Sequence, residues 1–131
     1  MNKLLNRFKG CILGGAVGDA LGYPIEFMSE EEIFSIYGKG GITVYNLNNG
    51  VAEISDDTQM ILFTIDGLIL SDNDDEVESI RKCYIDWANT QIGDAYLGID
   101  GINKKFLDKL ELVDFIEDIS EKLYNKQQLT K

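Results

Sequence analysis

Four glycines, Gly10, Gly14, Gly18 and Gly22, recur every fourth residue inside a stretch whose apolar side chains also follow a helical spacing. Leu4, Leu5, Phe8, Ile12, Leu13, Ala16, Val17, Ala20 and Leu21 fall at separations of three, four and eight. That pattern predicts one face of an α-helix over residues 2–21. Each interior glycine costs about 1 kcal/mol against alanine, so a helix that keeps them on one side needs an offset. Close approach of a neighbouring helix, or of a ligand to bare backbone, is the expected one. The spacing therefore predicts a central helix with one smooth side, ended by Gly22 and Pro24.

Helical periodicity continues beyond it. Ile25, Phe27, Ile33, Phe34 and Ile36 form a looser helical stretch, with Ser29 followed by Glu30, Glu31 and Glu32 as an N-cap with acidic first-turn residues. Residues 38–50 are rich in glycine and asparagine and read as loop, with a brief strand expected at Ile42, Val44 and Tyr45. A second strong helix is expected from Asp57 to Leu70, capped by Ser55 or Asp56. It is apolar nearly all round and so belongs in the core. Further helices are expected over 75–88, 95–102 and 113–124, with a polar tail fraying from Asn125. The chain reads as one all-α domain, a compact orthogonal helix bundle spanning residues 1–131.

Composition removes several classes of chemistry. The 131 residues contain no histidine, which excludes imidazole ligands, imidazole bases and the triads built on them. A net charge of −11 repels a phosphate backbone, so no nucleic-acid partner is expected. Apolar runs are broken within a few residues, so no membrane span is expected. Residues 1–9 lack a long apolar core and a small-residue cleavage site, so no signal peptide is expected and the location is read as cytoplasmic. Cys11 and Cys83 sit at helix-compatible apolar positions and are expected as buried, reduced thiols.

Two acidic segments carry the chemistry that remains. Ser55-Asp56-Asp57 at a helix start places a hydroxyl and two carboxylates in one small volume, a donor set for a hard cation such as Mg²⁺ or Mn²⁺. The same three residues also make an ordinary N-cap with favourable dipole charges, and both readings stand. Asp19 is odder, because a negative charge near the end of a helix opposes its dipole. Glu26 follows the proline turn.

Taken together, Gly10-Cys11-Ile12-Leu13-Gly14-Gly15-Ala16-Val17-Gly18-Asp19-Ala20-Leu21-Gly22-Tyr23-Pro24-Ile25-Glu26 and Ile54-Ser55-Asp56-Asp57-Thr58-Gln59-Met60 resemble the ADP-ribosylglycohydrolase family. Tyr84-Ile85-Asp86-Trp87-Ala88-Asn89-Thr90-Gln91 is a weaker match. The resemblance implies an all-α fold, here in reduced form, that holds one or two Mg²⁺ or Mn²⁺ ions. It implies Ser55, Asp56 and Asp57 as metal ligands and Glu26 as the catalytic residue. It also implies that Gly18, Asp19, Gly22, Glu26 and Thr58 face an ADP-ribose-like ligand.

Family enzymes carry a second metal motif of the type Gly-Asp-Thr-Asp-Thr, which this sequence lacks. Residues 1–92 resemble the family's N-terminal part and residues 93–124 its C-terminal helices, with Asp94 and Asp100 the nearest substitutes for the missing ligands. The first functional expectation is therefore a protein that binds ADP-ribose or a derived nucleotide, cyclic forms included, with impaired or no hydrolysis. Alternatives are an active hydrolase whose site is completed by another subunit, and a non-catalytic protein-interaction module. A shortened bundle exposes apolar helix faces, so homo-oligomers are expected.

Overall fold

The computed structural model describes residues 2–72, 75–91 and 109–129. Its elements are α1 (Lys3–Gly22), a 3₁₀ turn (Tyr23–Ile25), α2 (Glu30–Tyr37), β1 (Leu47–Asn48), β2 (Val51–Ala52), α3 (Asp56–Leu70), α4 (Glu76–Thr90) and α5 (Lys109–Leu129). The all-α expectation holds. The helix expected over 95–102, with Asp94 and Asp100, lies outside the described residues.

Helix α3 is the hub, as its nearly all-round apolar surface requires. It packs against α4, α5 and α1, while α1 also packs along α5. Ile12 and Ala16 of α1, Leu62 and Ile65 of α3, and Ile116, Ile119 and Leu123 of α5 form one buried cluster. Gly67 is what lets α4 approach: a Cβ added there would fall 2.6 Å from Ile80 Cα, a clash with backbone. Thr64 and Tyr84 share a hydroxyl hydrogen bond of 2.7 Å across the same contact. Burial raises the Cys83 thiol above its ordinary range, helped by the carboxylates of Asp66 and Asp86. Cys11 is exposed, which corrects the expectation that both thiols are buried. It lies off the α1 face that meets α5.

Three local readings also change. Helix α5 runs on to Leu129 instead of fraying at Asn125. The reason is Lys126, whose ammonium donates to the carbonyl of Ile69 at 2.8 Å and to that of Ser71, so the last turn of α5 is tied to the end of α3. The brief strand sits at 47–52 rather than at 42–45, as an antiparallel pair with Leu47 opposite Ala52. Asn49 (φ 51°) and Gly50 (φ 82°) supply the left-handed turn such a hairpin needs. Helix α2 forms where Ser29 and the acids after it predicted. Glu32 accepts the Ser29 N–H at 2.7 Å while Ser29 Oγ accepts the Glu32 N–H at 3.3 Å, a reciprocal capping box.

Candidate functional site

The last turn of α1 and the first turn of α3 meet through a single carboxylate. Asp19 Oδ2 accepts the backbone N–H groups of Ser55 at 2.9 Å and Thr58 at 3.2 Å, and the Thr58 hydroxyl at 2.5 Å. Asp19 Oδ1 accepts the Ser55 hydroxyl at 2.6 Å. Ser55 Oγ in turn accepts the Asp57 N–H at 3.1 Å, so it caps α3 while being held from α1. The first N–H groups of a helix have no intrahelical partner, and negative charge is favoured beside them. Asp19 therefore serves α3 rather than α1, which explains a charge that looks misplaced within its own helix. Ser55 and Thr58 are both buried by this arrangement.

The oxygen donors at the start of α3 divide accordingly. Ser55 is spent on Asp19 and on the cap. The side chains of Asp56 and Asp57 are exposed, and neither carboxylate has a partner among the described residues. They also serve different spaces. Asp57 lines a cavity of about 620 Å³ with Glu26, Asp19 and the bare backbone of Gly14, Gly18 and Gly22. Asp56 lines a second cavity of about 620 Å³, whose walls include Trp87, Gln59, Gln91 and the hairpin. Tyr23 and Ser55 border both.

The smooth side of α1 does not pack against another helix among the described residues. A Cβ at Gly10, Gly14, Gly18 or Gly22 would meet nothing within 4 Å, and only Gly15 has a neighbour, Ile61 Cδ1 at 3.4 Å. Of the two expected offsets, helix approach is thus absent from these residues. What Gly14, Gly18 and Gly22 border is the cavity beside Asp57.

Of the residues expected to face a ligand, Gly18, Asp19, Gly22 and Glu26 are brought together around Asp57. Thr58 is withdrawn into the Asp19 network. The expected metal ligands Ser55, Asp56 and Asp57 are adjacent, but among the described residues no three acidic or thiol side chains converge on a cation position. Asp56 and Asp57 are hard oxygen donors, of the kind that hold Mg²⁺ when several waters complete its six ligands. No catalytic step is assigned to a metal here.

The sequence reading assigns no role to Gln59 or Tyr23 and includes Trp87 and Gln91 only in its weaker matching stretch. The available signal was spacing: Gln59 lies one helical turn after Ser55, and Gln91 one turn after Trp87, so each pair shares a helix face.

Comparison with known proteins agrees with this architecture. The ADP-ribosylglycohydrolase family matches residues 1–95. An uncharacterized protein of Archaeoglobus fulgidus is 32% identical over 94 residues, covering 66% of this chain and 30% of the archaeal protein. The chain thus spans about a third of the length of that curated relative. No solved structure matches. No described helix is long and apolar enough to cross a membrane. The family match contains α1, the Asp19–Ser55–Thr58 network, α3 and α4, and on that basis the chain belongs to the ADP-ribosylglycohydrolase family.

Proposed function

We propose that the chain binds ADP-ribose or a nucleotide derived from it at the junction of α1 and α3, with impaired or no hydrolysis. The observation that carries this reading is Asp57, exposed at a fixed helix start, without a partner for its carboxylate among the described residues, and lining one cavity with Glu26 and bare α1 backbone, while Asp56 lines the neighbouring cavity. Carboxylates in the first turn are favoured by the helix dipole, and here the same rigid element sets them at the borders of the two cavities. Glu26 is the candidate catalytic residue. Its backbone N–H is bonded to the Tyr23 carbonyl at 3.3 Å while its carboxylate stays exposed. Weak or absent turnover is the reading because no second metal motif accompanies Ser55, Asp56 and Asp57 within these 131 residues. A diphosphate beside Asp57 and Glu26 also needs positive charge, so binding should depend on Mg²⁺ or Mn²⁺.

Isothermal titration with ADP-ribose in Mg²⁺ tests the proposal. Heat is expected with the native chain and a loss of at least tenfold in affinity for Asp56→Ala. No heat at high micromolar ligand would sink it.

A second reading, an active ADP-ribosyl hydrolase completed by another subunit, is favoured by Leu13 and Val17. These apolar side chains are exposed on α1, next in sequence to the glycines that border the cavity. It expects a homo-oligomer by light scattering and product from ADP-ribosylated peptide in Mn²⁺. A clean monomer, or unchanged substrate, would remove it.

A further inference from the structure

We infer that the cavity beside Asp56 is a seat for a planar, uncharged heteroaromatic ring, with adenine as the type. This deepens the reading above by giving the base of the nucleotide its own place, and it rests on that reading only for the nucleotide's identity. The cavity lies between the hairpin, the first turn of α3 and the last turn of α4. Its polar groups are fixed in an informative way. Gln59 Oε1 accepts both the Trp87 indole N–H at 3.1 Å and the Gln91 amide at 3.2 Å, and Gln91 Nε2 also donates to Thr90 Oγ1 at 2.7 Å.

Three consequences follow for what the cavity can hold. Trp87 has spent its one polar atom on Gln59, so it offers a visitor only ring carbon and a π-face. The Gln59 amide group and the Gln91 amide oxygen have no partner among the described residues, leaving one donor and one acceptor on neighbouring side chains. That pairing matches the edge of a nucleobase, which carries a ring acceptor beside an exocyclic amine. Among the described residues no lysine or arginine lines the cavity, whereas Glu53 and Asp56 do. A phosphate is therefore disfavoured there and a neutral ring with an amine is not. Glu53 is already occupied, accepting from Asn48 at 2.9 Å, which steadies the hairpin wall.

Trp87 is the chain's one tryptophan, so its emission reads the proposed stack directly. The full chain is titrated with adenosine, nicotinamide, ribose 5-phosphate and ADP-ribose, following Trp87 fluorescence beside calorimetry. Adenosine should quench saturably and ribose 5-phosphate should not. Gln59→Leu should weaken adenosine about tenfold, the loss of one hydrogen bond and of the indole's anchor. Gln91→Ala, which leaves the Trp87–Gln59 bond in place, provides the check if Gln59→Leu does not fold, and should weaken binding in the same direction. Heat from ADP-ribose without any change in Trp87 emission would overturn the seat and leave the proposed binding intact. Quenching by adenosine with neither heat nor quenching from ADP-ribose would support the seat and overturn the ADP-ribose reading. Quenching by ribose 5-phosphate equal to that by adenosine, tighter binding of nicotinamide, no effect of either glutamine variant, or silence from every compound would each overturn the assignment.

Discussion

The two ends of α3 are both held by a charged side chain from another helix, yet they finish differently. At the N-terminal end the carboxylate of Asp19 arrives from α1, and at the C-terminal end the ammonium of Lys126 arrives from α5. Each sign is the one the helix dipole favours at that end. The C-terminal end is closed: Ser71 N–H bonds the Gly67 carbonyl at 3.0 Å, its hydroxyl bonds the Leu68 carbonyl at 2.9 Å, and its side chain is buried. The N-terminal end satisfies its amides in the same way but leaves Asp56 and Asp57 over. One end is finished by its contacts, while the other is secured by some residues so that adjacent ones remain available.

Removing Asp19 is the most severe way to break that symmetry. Asp19→Ala leaves the Ser55 and Thr58 donors without their acceptor and should cost about 3 kcal/mol in urea unfolding. Asp19→Asn, which keeps an acceptor oxygen but loses the charge, should cost roughly half as much. A loss below about 0.5 kcal/mol for the alanine variant, the range of ordinary surface changes, would mean the junction does not depend on this carboxylate.

Glycine substitutions sharpen the contrast at the next level. Gly67→Ala drives a methyl into the α4 backbone and should destabilise by about 2 kcal/mol. Gly14→Ala meets open space and should stabilise by up to about 1 kcal/mol through helix propensity. If the native chain loses nucleotide binding on Gly14→Ala while gaining stability, the bare backbone serves the ligand. At the closed end, Lys126→Met should cost about 1 kcal/mol and speed amide exchange in the last turn of α5.

The smallest effect concerns α2. The Ser29 N–H bond, with the Ser29 hydroxyl adding to it, holds the Glu32 carboxyl below its ordinary range. A lowered folded-state pKa gives stability that is present above the unfolded glutamate range and lost as pH falls through the folded value. Amides at the start of α2 should therefore lose protection on acidification below the usual glutamate range, and Glu32→Gln should flatten that dependence.

Much of this was legible from residue spacing. The helices α1, α3 and α4 follow from periodicity, and α2 from the four residues that form its capping box. Which elements meet was harder to read, because the decisive contacts join positions far apart. Asp19 reads as an anomaly of charge and, by the family resemblance, as a residue facing the ligand; its role in capping α3 is hidden because its partners lie 36 and 39 positions away. Lys126 and the Ile69 carbonyl are 57 apart, so the tail looked free. The hairpin lies after the β-branched Ile42 and Val44 because the turn needs Asn49-Gly50, the pair able to take positive φ. The separate service of Asp56 and Asp57 was hidden for another reason: side chains 100° apart around a helix need not share a space.

Between that first carboxylate and its partners Ser55 and Thr58 the chain makes a long excursion. No residue from Leu21 to Ile54 is buried, although the stretch contains α2 and the hairpin. Its attachment to the helical body is thus concentrated at its two anchoring points, where Asp19 clasps Ser55 and Thr58. Such a segment should open as one unit while the three core helices stay shut, and hydrogen exchange should find it far less protected than α3. The walls that Tyr23, Asn48 and Val51 give to the cavity beside Asp56 belong to this loosely moored part. Entry and exit there can then occur by the excursion lifting away, without unfolding the body that holds the carboxylates.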